Sequence, residues 1–142
     1  MIDIFKRASV RSISSVVLVG AALAGCATMS SKPEEVVRAR ATQSWKAMVA
    51  NDLDKAYAYT TPSYRAATPL IRYKSNFGGA VKWTDAEVAS VKCETEDKCV
   101  AQMKVTAIVT MNLRRGSIPP IVNYFDETWL RENGQWWLFP TP

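Results

Sequence analysis

The residue types best suited to chemistry gather late in the chain, where Glu127 stands between Phe125 and Trp129 at strand spacing. On a strand these three share one face. If that face is inward, the carboxylate sits among aromatic rings, desolvation raises its pKa, and it has the setting of a general acid or base. Tyr57 and Tyr124 are the hydroxyls it could work with, and together with Trp129 they complete a candidate pocket. Two other arrangements of the same residues carry no chemistry: the face is the outer one, or Glu127 pairs with Arg131 or Arg114. Asp126 falls on the opposite face with Tyr124 and Thr128, so Asp126 and Glu127 cannot form a side-by-side dyad.

The 142 residues include no histidine. That excludes imidazole general acid-base chemistry, Ser-His and Cys-His nucleophile pairs, and zinc sites that need imidazole. No metal and no cofactor are expected, and the catalytic residues, if there are any, are unknown. The composition, 48% hydrophobic and 22% charged, is that of an ordinary globular chain, and its length suits one domain.

Lys6, Arg7 and Arg11 precede an apolar run from Ile13 to Ala24 that ends in small residues, the pattern of a secretory signal. As a helix that run reaches roughly 18 Å, short of the roughly 30 Å hydrocarbon core, so a transmembrane span is disfavoured. Its exit, Leu23-Ala24-Gly25-Cys26, resembles the lipobox of bacterial lipoproteins. The resemblance implies cleavage before Cys26, a diacylglyceryl group on its sulfur, and, with Ala27 rather than aspartate following, retention in the outer membrane facing the periplasm. The expected organisation is a signal peptide over residues 1–25, lipidated Cys26 with a short tether to residue 32, and one domain over 33–142. Residues 27–31 span at most about 17 Å, so the domain would lie against the membrane surface. Loss of three cations and Asp3 with the signal reduces the formal charge from +5 to +3. With no dense Lys/Arg run either, nucleic acid is not an expected partner.

Cys93 and Cys99 flank Glu94-Thr95-Glu96-Asp97-Lys98 between two stretches of strand character, and a disulfide across the hairpin is expected. A redox pair would favour C-x-x-C spacing at a helix start. The acidic tip reads as solvated rather than as a cation site.

The elements that must position these residues come in two blocks. Ser31-Lys32-Pro33-Glu34 fits a capping box, and Val37, Ala41, Trp45 and Met48 follow at helical spacing, predicting a helix to about Asn51. Asp52 is placed to cap a short second helix that Pro62 ends, and a third helical piece is expected from about Pro69 to Asn76. From Ala80 the period becomes two. Met103 to Leu113 alternate, with one lapse at Ile108, as a long half-buried strand, with further strands over Glu87–Glu94, Val122–Arg131 and Gln135–Phe139; Asn133-Gly134 predicts a tight turn and Arg115 to Pro120 a longer loop. The fold class expected is α+β, with N-terminal helices packed on a curved antiparallel sheet of about four strands.

Trp45, Asn51-Asp52-Leu53-Asp54-Lys55-Ala56-Tyr57, Pro62-x-Tyr64, Glu127-x-Trp129 and Asn133-Gly134-Gln135-Trp136-Trp137 together resemble the small secreted or lipoprotein members of the nuclear-transport-factor-2-like cone fold. The resemblance implies a curved sheet wrapped round a long helix, a cavity at its wide end, and frequent dimerisation through the sheet. In that family an Asp-His or Tyr-Asp arrangement usually carries catalysis, and this chain has no histidine to supply the first. The expected role is therefore a membrane-anchored binding or assembly module for a small apolar ligand or an envelope protein partner, with a homodimer as one expected state. The alternative is a cofactor-free isomerase, dehydratase or hydrolase using Glu127. Arg65, Arg72, Lys74, Arg114 and Arg115 are basic groups that could meet anionic headgroups, or are simply solvated.

Overall fold

The computed structural model describes residues 32–77, 79, 81–110 and 118–140. The signal segment, Cys26, Ser31, Met111, Leu113, Arg114 and Arg115 lie outside the described residues, and with them the lipobox and the far end of the long strand.

Four helices precede four strands: α1 (Pro33–Val49), α2 (Leu53–Tyr57), α3 (Pro62–Ala67), α4 (Leu70–Ser75), β1 (Val81–Thr95), β2 (Lys98–Val109), β3 (Ile121–Glu132) and β4 (Gln135–Phe139). The strands form one antiparallel sheet in the order β1-β2-β3-β4, so the chain is α+β with its helices on an open meander.

Helix α1 buries Val37, Ala41, Ser44, Trp45 and Met48, a single stripe at helical spacing laid on the sheet. Its N-cap is Lys32, with Pro33 in the first turn and no side-chain cap bond. Its end is better specified. Asn51 takes a left-handed φ of 57°, its N–H donates to the Met48 carbonyl at 3.0 Å, and the Asp52 N–H donates to the Ala47 carbonyl at 2.9 Å. These two bonds satisfy carbonyls the helix end would leave orphaned. Asp52 also caps α2, its carboxylate accepting from the Lys55 N–H at 3.1 Å, so one dipeptide stops one helix and starts the next.

Pro62 opens α3 instead of ending α2. Thr61 is the cap, its hydroxyl oxygen accepting from the Tyr64 N–H at 3.2 Å, and a proline at the first helical position loses no needed donor. Between α2 and α3 the chain runs alongside β4: Leu138 N–H donates to the Tyr59 carbonyl at 2.9 Å and Thr61 N–H to the Leu138 carbonyl at 2.8 Å. This parallel segment covers an edge that β4 would otherwise leave open.

Strand β1 begins at Val81, six residues ahead of the stretch predicted from Glu87. The register shifts between Trp83 and Asp85, Val88 and Ser90, and Cys93 and Thr95, and each shift resets which residues face the core. Strand β2 keeps the predicted parity, with Met103, Val105 and Ala107 buried and Cys99 and Ala101 extending that face. Asn133 and Gly134 have φ values of 51° and 77°, the paired left-handed conformation of the tight turn that joins β3 to β4.

Cys93 and Cys99 oppose each other in register on β1 and β2, at disulfide-bonding distance. The bond closes only a short loop, so the chain-entropy model gives it about 2 kcal/mol. Mutating both cysteines to alanine should lower unfolding stability by about that amount, measured by urea titration, with the midpoint unaffected by reductant thereafter.

Candidate functional site

Glu127 projects from β3 to the helix side of the sheet and is 9% exposed. Its register partner is Ala101, a residue without bulk, and that leaves room for the carboxyl group to reach the rings beside it. Trp45 Nε1 on α1 donates to Oε1 at 2.7 Å, and Trp129 Nε1, two residues along the strand, donates to Oε2 at 3.3 Å. Each oxygen thus has one neutral indole donor.

Burial favours the protonated acid while the two indole bonds favour the anion, and burial dominates: the Glu127 pKa is pushed up to about 7. Partial compensation of this kind is what a buried carboxylate shows when its donors carry no charge.

The carboxyl group lies in the wall of a pocket of about 270 Å³. Helix α1 contributes Ser44, Trp45 and Met48, α4 and the residues after it contribute Tyr73 and Phe77, β1 contributes Trp83, and Phe125 neighbours Glu127 on β3. The rim residues Phe77 and Phe139 are 37% and 40% exposed, so the pocket reaches solvent on their side. The rings hold one another in place. Trp45 meets Trp83 edge to face at 5.7 Å and Phe125 at 5.6 Å, and Tyr73 lies 4.8 Å from Phe77. Aromatic pairs at these separations prefer such tilted arrangements. The Tyr73 hydroxyl donates to Met48 Sδ at 3.7 Å, and burial pushes its pKa up, with Tyr64 and Glu127 adding to the shift.

The other candidates fall elsewhere. Trp129 is wholly buried beneath the pocket and reaches it only through its bond to Glu127. Tyr57 stands outside the pocket wall, its one hydroxyl proton shared between the carbonyls of Thr68 at 2.8 Å and Arg65 at 3.1 Å, where it ties α2 to the C-terminal end of α3. Tyr124 is 55% exposed on the opposite face of β3, so it is a correction to the expected pocket. Glu127 meets two indoles rather than a guanidinium. Of the basic groups, Lys74 pairs with Asp54 at 2.5 Å, and Arg65 stacks on Trp137, which Arg40 also covers, each guanidinium 5.0 Å from a ring centroid.

Tyr73, Phe77 and Trp83 were not legible as pocket residues. Trp45 gave one signal, an indole N–H on the buried stripe of a helix, which needs an acceptor wherever it is enclosed.

Fold and site together define a small α+β domain with a side pocket of aromatic rings around one buried carboxyl group. No protein-family model and no curated protein matches the chain. Among solved structures, a SEC-C motif containing protein from Rhodopseudomonas palustris is similar to it at 17% identity and a TM-score of 0.52, with 76% of this chain and 75% of that one covered. At that identity the likeness concerns the fold alone.

Proposed function

We propose that this chain is a lipid-anchored protein of the bacterial envelope whose domain, of the nuclear-transport-factor-2-like type, is a binding module for a small, largely apolar ligand. The observation that carries the reading is the pocket: rings of Trp45, Trp83, Phe125, Tyr73 and Phe77 about a single buried carboxyl group, the composition of a ligand site with one orienting polar contact. Leu23-Ala24-Gly25-Cys26 supports the anchor, and the short segment after it would keep the pocket near the membrane.

A second reading, a cofactor-free isomerase, dehydratase or hydrolase, draws on one observation: a carboxyl group with its pKa near 7 is poised to exchange a proton at neutral pH. Its expected hydroxyl partners, Tyr57 and Tyr124, lie outside the pocket, which favours binding over catalysis.

Native mass spectrometry of the chain purified from its own host tests the proposal. The expected spectrum shows a chain starting at Cys26 with a diacylglyceryl adduct and a retained small molecule, and a Trp83→Ala variant that has lost only the latter. A chain that arrives empty and binds nothing from envelope extracts would count against the pocket as a binding site.

A further inference from the structure

The pocket's polar chemistry is lopsided. Glu127 is the buried acid, and the groups that hold it are neutral: two indole N–H donors from α1 and β3. The ion pairs among the described residues lie elsewhere, Lys74 with Asp54, Lys98 with Glu94 and Lys104 with Glu87. Among the described residues of the pocket wall the other titratable ones are Tyr73 and Asp126, neither of them a cation, and the Asp126 side chain points to the opposite, exposed face of β3. A buried carboxylate is costly unless a positive group meets it, and among the described residues none of the wall supplies one.

The rest of the wall is built of the surface on which an organic cation rests. Trp45 is tilted against both Trp83 and Phe125, and Tyr73 against Phe77, and all five rings border the pocket that Glu127 borders. Ring faces are the negative ends of aromatic quadrupoles, and several of them around a carboxylate attract an ammonium group while accepting the hydrocarbon attached to it. A neutral apolar molecule would fill the same volume but deepen the desolvation of Glu127 and return nothing.

Resting on the reading of this pocket as a ligand site, we infer that its ligand is an organic cation, an alkylated ammonium or protonated amine on a small apolar body, whose charge lies against Glu127 between the faces of the surrounding rings. The two indole donors take one lone pair on each oxygen and leave the others for the ligand. The cation replaces the charge that the protein withholds, and the rings select against hydrated inorganic cations, which do not give up their water to hydrocarbon.

The test compares choline with neohexyl alcohol, the molecule of the same shape in which a tert-butyl group stands for trimethylammonium. Binding to the full chain is read at pH 8 from the indole N–H resonances of Trp45 and Trp129. The expected result is choline binding at least about tenfold tighter than the alcohol, a difference of about 1.4 kcal/mol. Glu127→Gln should abolish that preference by weakening choline and not the alcohol, and Trp83→Leu, which spares the carboxylate, should weaken choline more than the alcohol. If the alcohol binds and choline does not exceed it, or if Glu127→Gln keeps the preference, the cation assignment is overturned while the pocket remains a ligand site. If neither molecule shifts the resonances at millimolar concentration and host extracts also leave the chain empty, both assignments fall.

Discussion

Replacing Glu127 with glutamine should change how stability depends on pH more than any other single substitution in the domain. The carboxyl group titrates near 4.5 when the chain is unfolded and near 7 when it is folded. Over that window the folded chain holds a proton that the unfolded chain has released. The stability this group contributes is therefore fully present below about 4.5 and is lost as pH rises to 7, above which it changes no further. At 1.36 kcal/mol for each pKa unit, the loss is about 3 kcal/mol. The remaining carboxylates act on both chains alike, and the Tyr73 hydroxyl, its pKa pushed up by burial, does not titrate in this range. Urea unfolding of wild type and Glu127→Gln at pH 4.5 and pH 8 isolates the effect: the variant should gain on the wild type by about 3 kcal/mol between the two. Parallel pH curves would show a carboxyl group that folding leaves unperturbed.

Trp129→Ala should be the most destabilising core substitution. The side chain is wholly buried, on the same face as Met103 and Val105 of the neighbouring strand, and paired across the sheet with Cys99 and Leu138. Truncating a buried tryptophan costs about 4 kcal/mol in lost contacts and cavity. The loss here has a second part, because Glu127 Oε2 would be left without its donor at 3.3 Å, and an orphaned buried acceptor adds about 1–3 kcal/mol. The second part depends on charge. Trp129→Ala should be more damaging at pH 8, where Glu127 is ionised, than at pH 5, and in a Glu127→Gln background the difference between the two pH values should vanish. A change in stability below about 1 kcal/mol would place Trp129 outside the core.

Much of the fold was legible because short-range chemistry decides it. Asn133-Gly134 demands left-handed backbone whatever surrounds it, Asp52 offers a cap to any helix that follows, and the alternation from Met103 to Ala107 assigns faces without reference to the rest of the chain. Legibility failed where two local rules were equally good. Pro62 can stop a helix or start one, and the deciding residue is Thr61, whose hydroxyl oxygen caps α3. In β1 the bulges break the alternation on which a strand is recognised, so only its second half, Glu87–Glu94, was visible.

The site divides the same way. Parity on β3 places Glu127 with Phe125 and Trp129, and the same parity sends Tyr124 to the other face once Glu127 is inward. What strand parity cannot supply is a partner across the molecule. Trp45 is 82 residues from the carboxylate it holds, and Tyr73, Phe77 and Trp83 reach the pocket only because α4 packs on α2, with the Tyr73 hydroxyl at Met48, and β1 packs on α1. Tyr57 was a poor candidate for a similar reason: two carbonyls of the α3 connection compete for its hydroxyl, and they exist as acceptors only after the short helices have packed.

The pocket is defined by a carboxyl group enclosed by rings and held by neutral donors, and a titration of the Glu127 side-chain carbon by nuclear magnetic resonance reads that state directly. The structure predicts a midpoint at about 7, with the Trp45 and Trp129 indole resonances shifting along the same curve as their shared acceptor loses its proton. A midpoint near 4.5, with the indole resonances unmoved, would mean an exposed and unpartnered carboxylate and would contradict the pocket described for this chain.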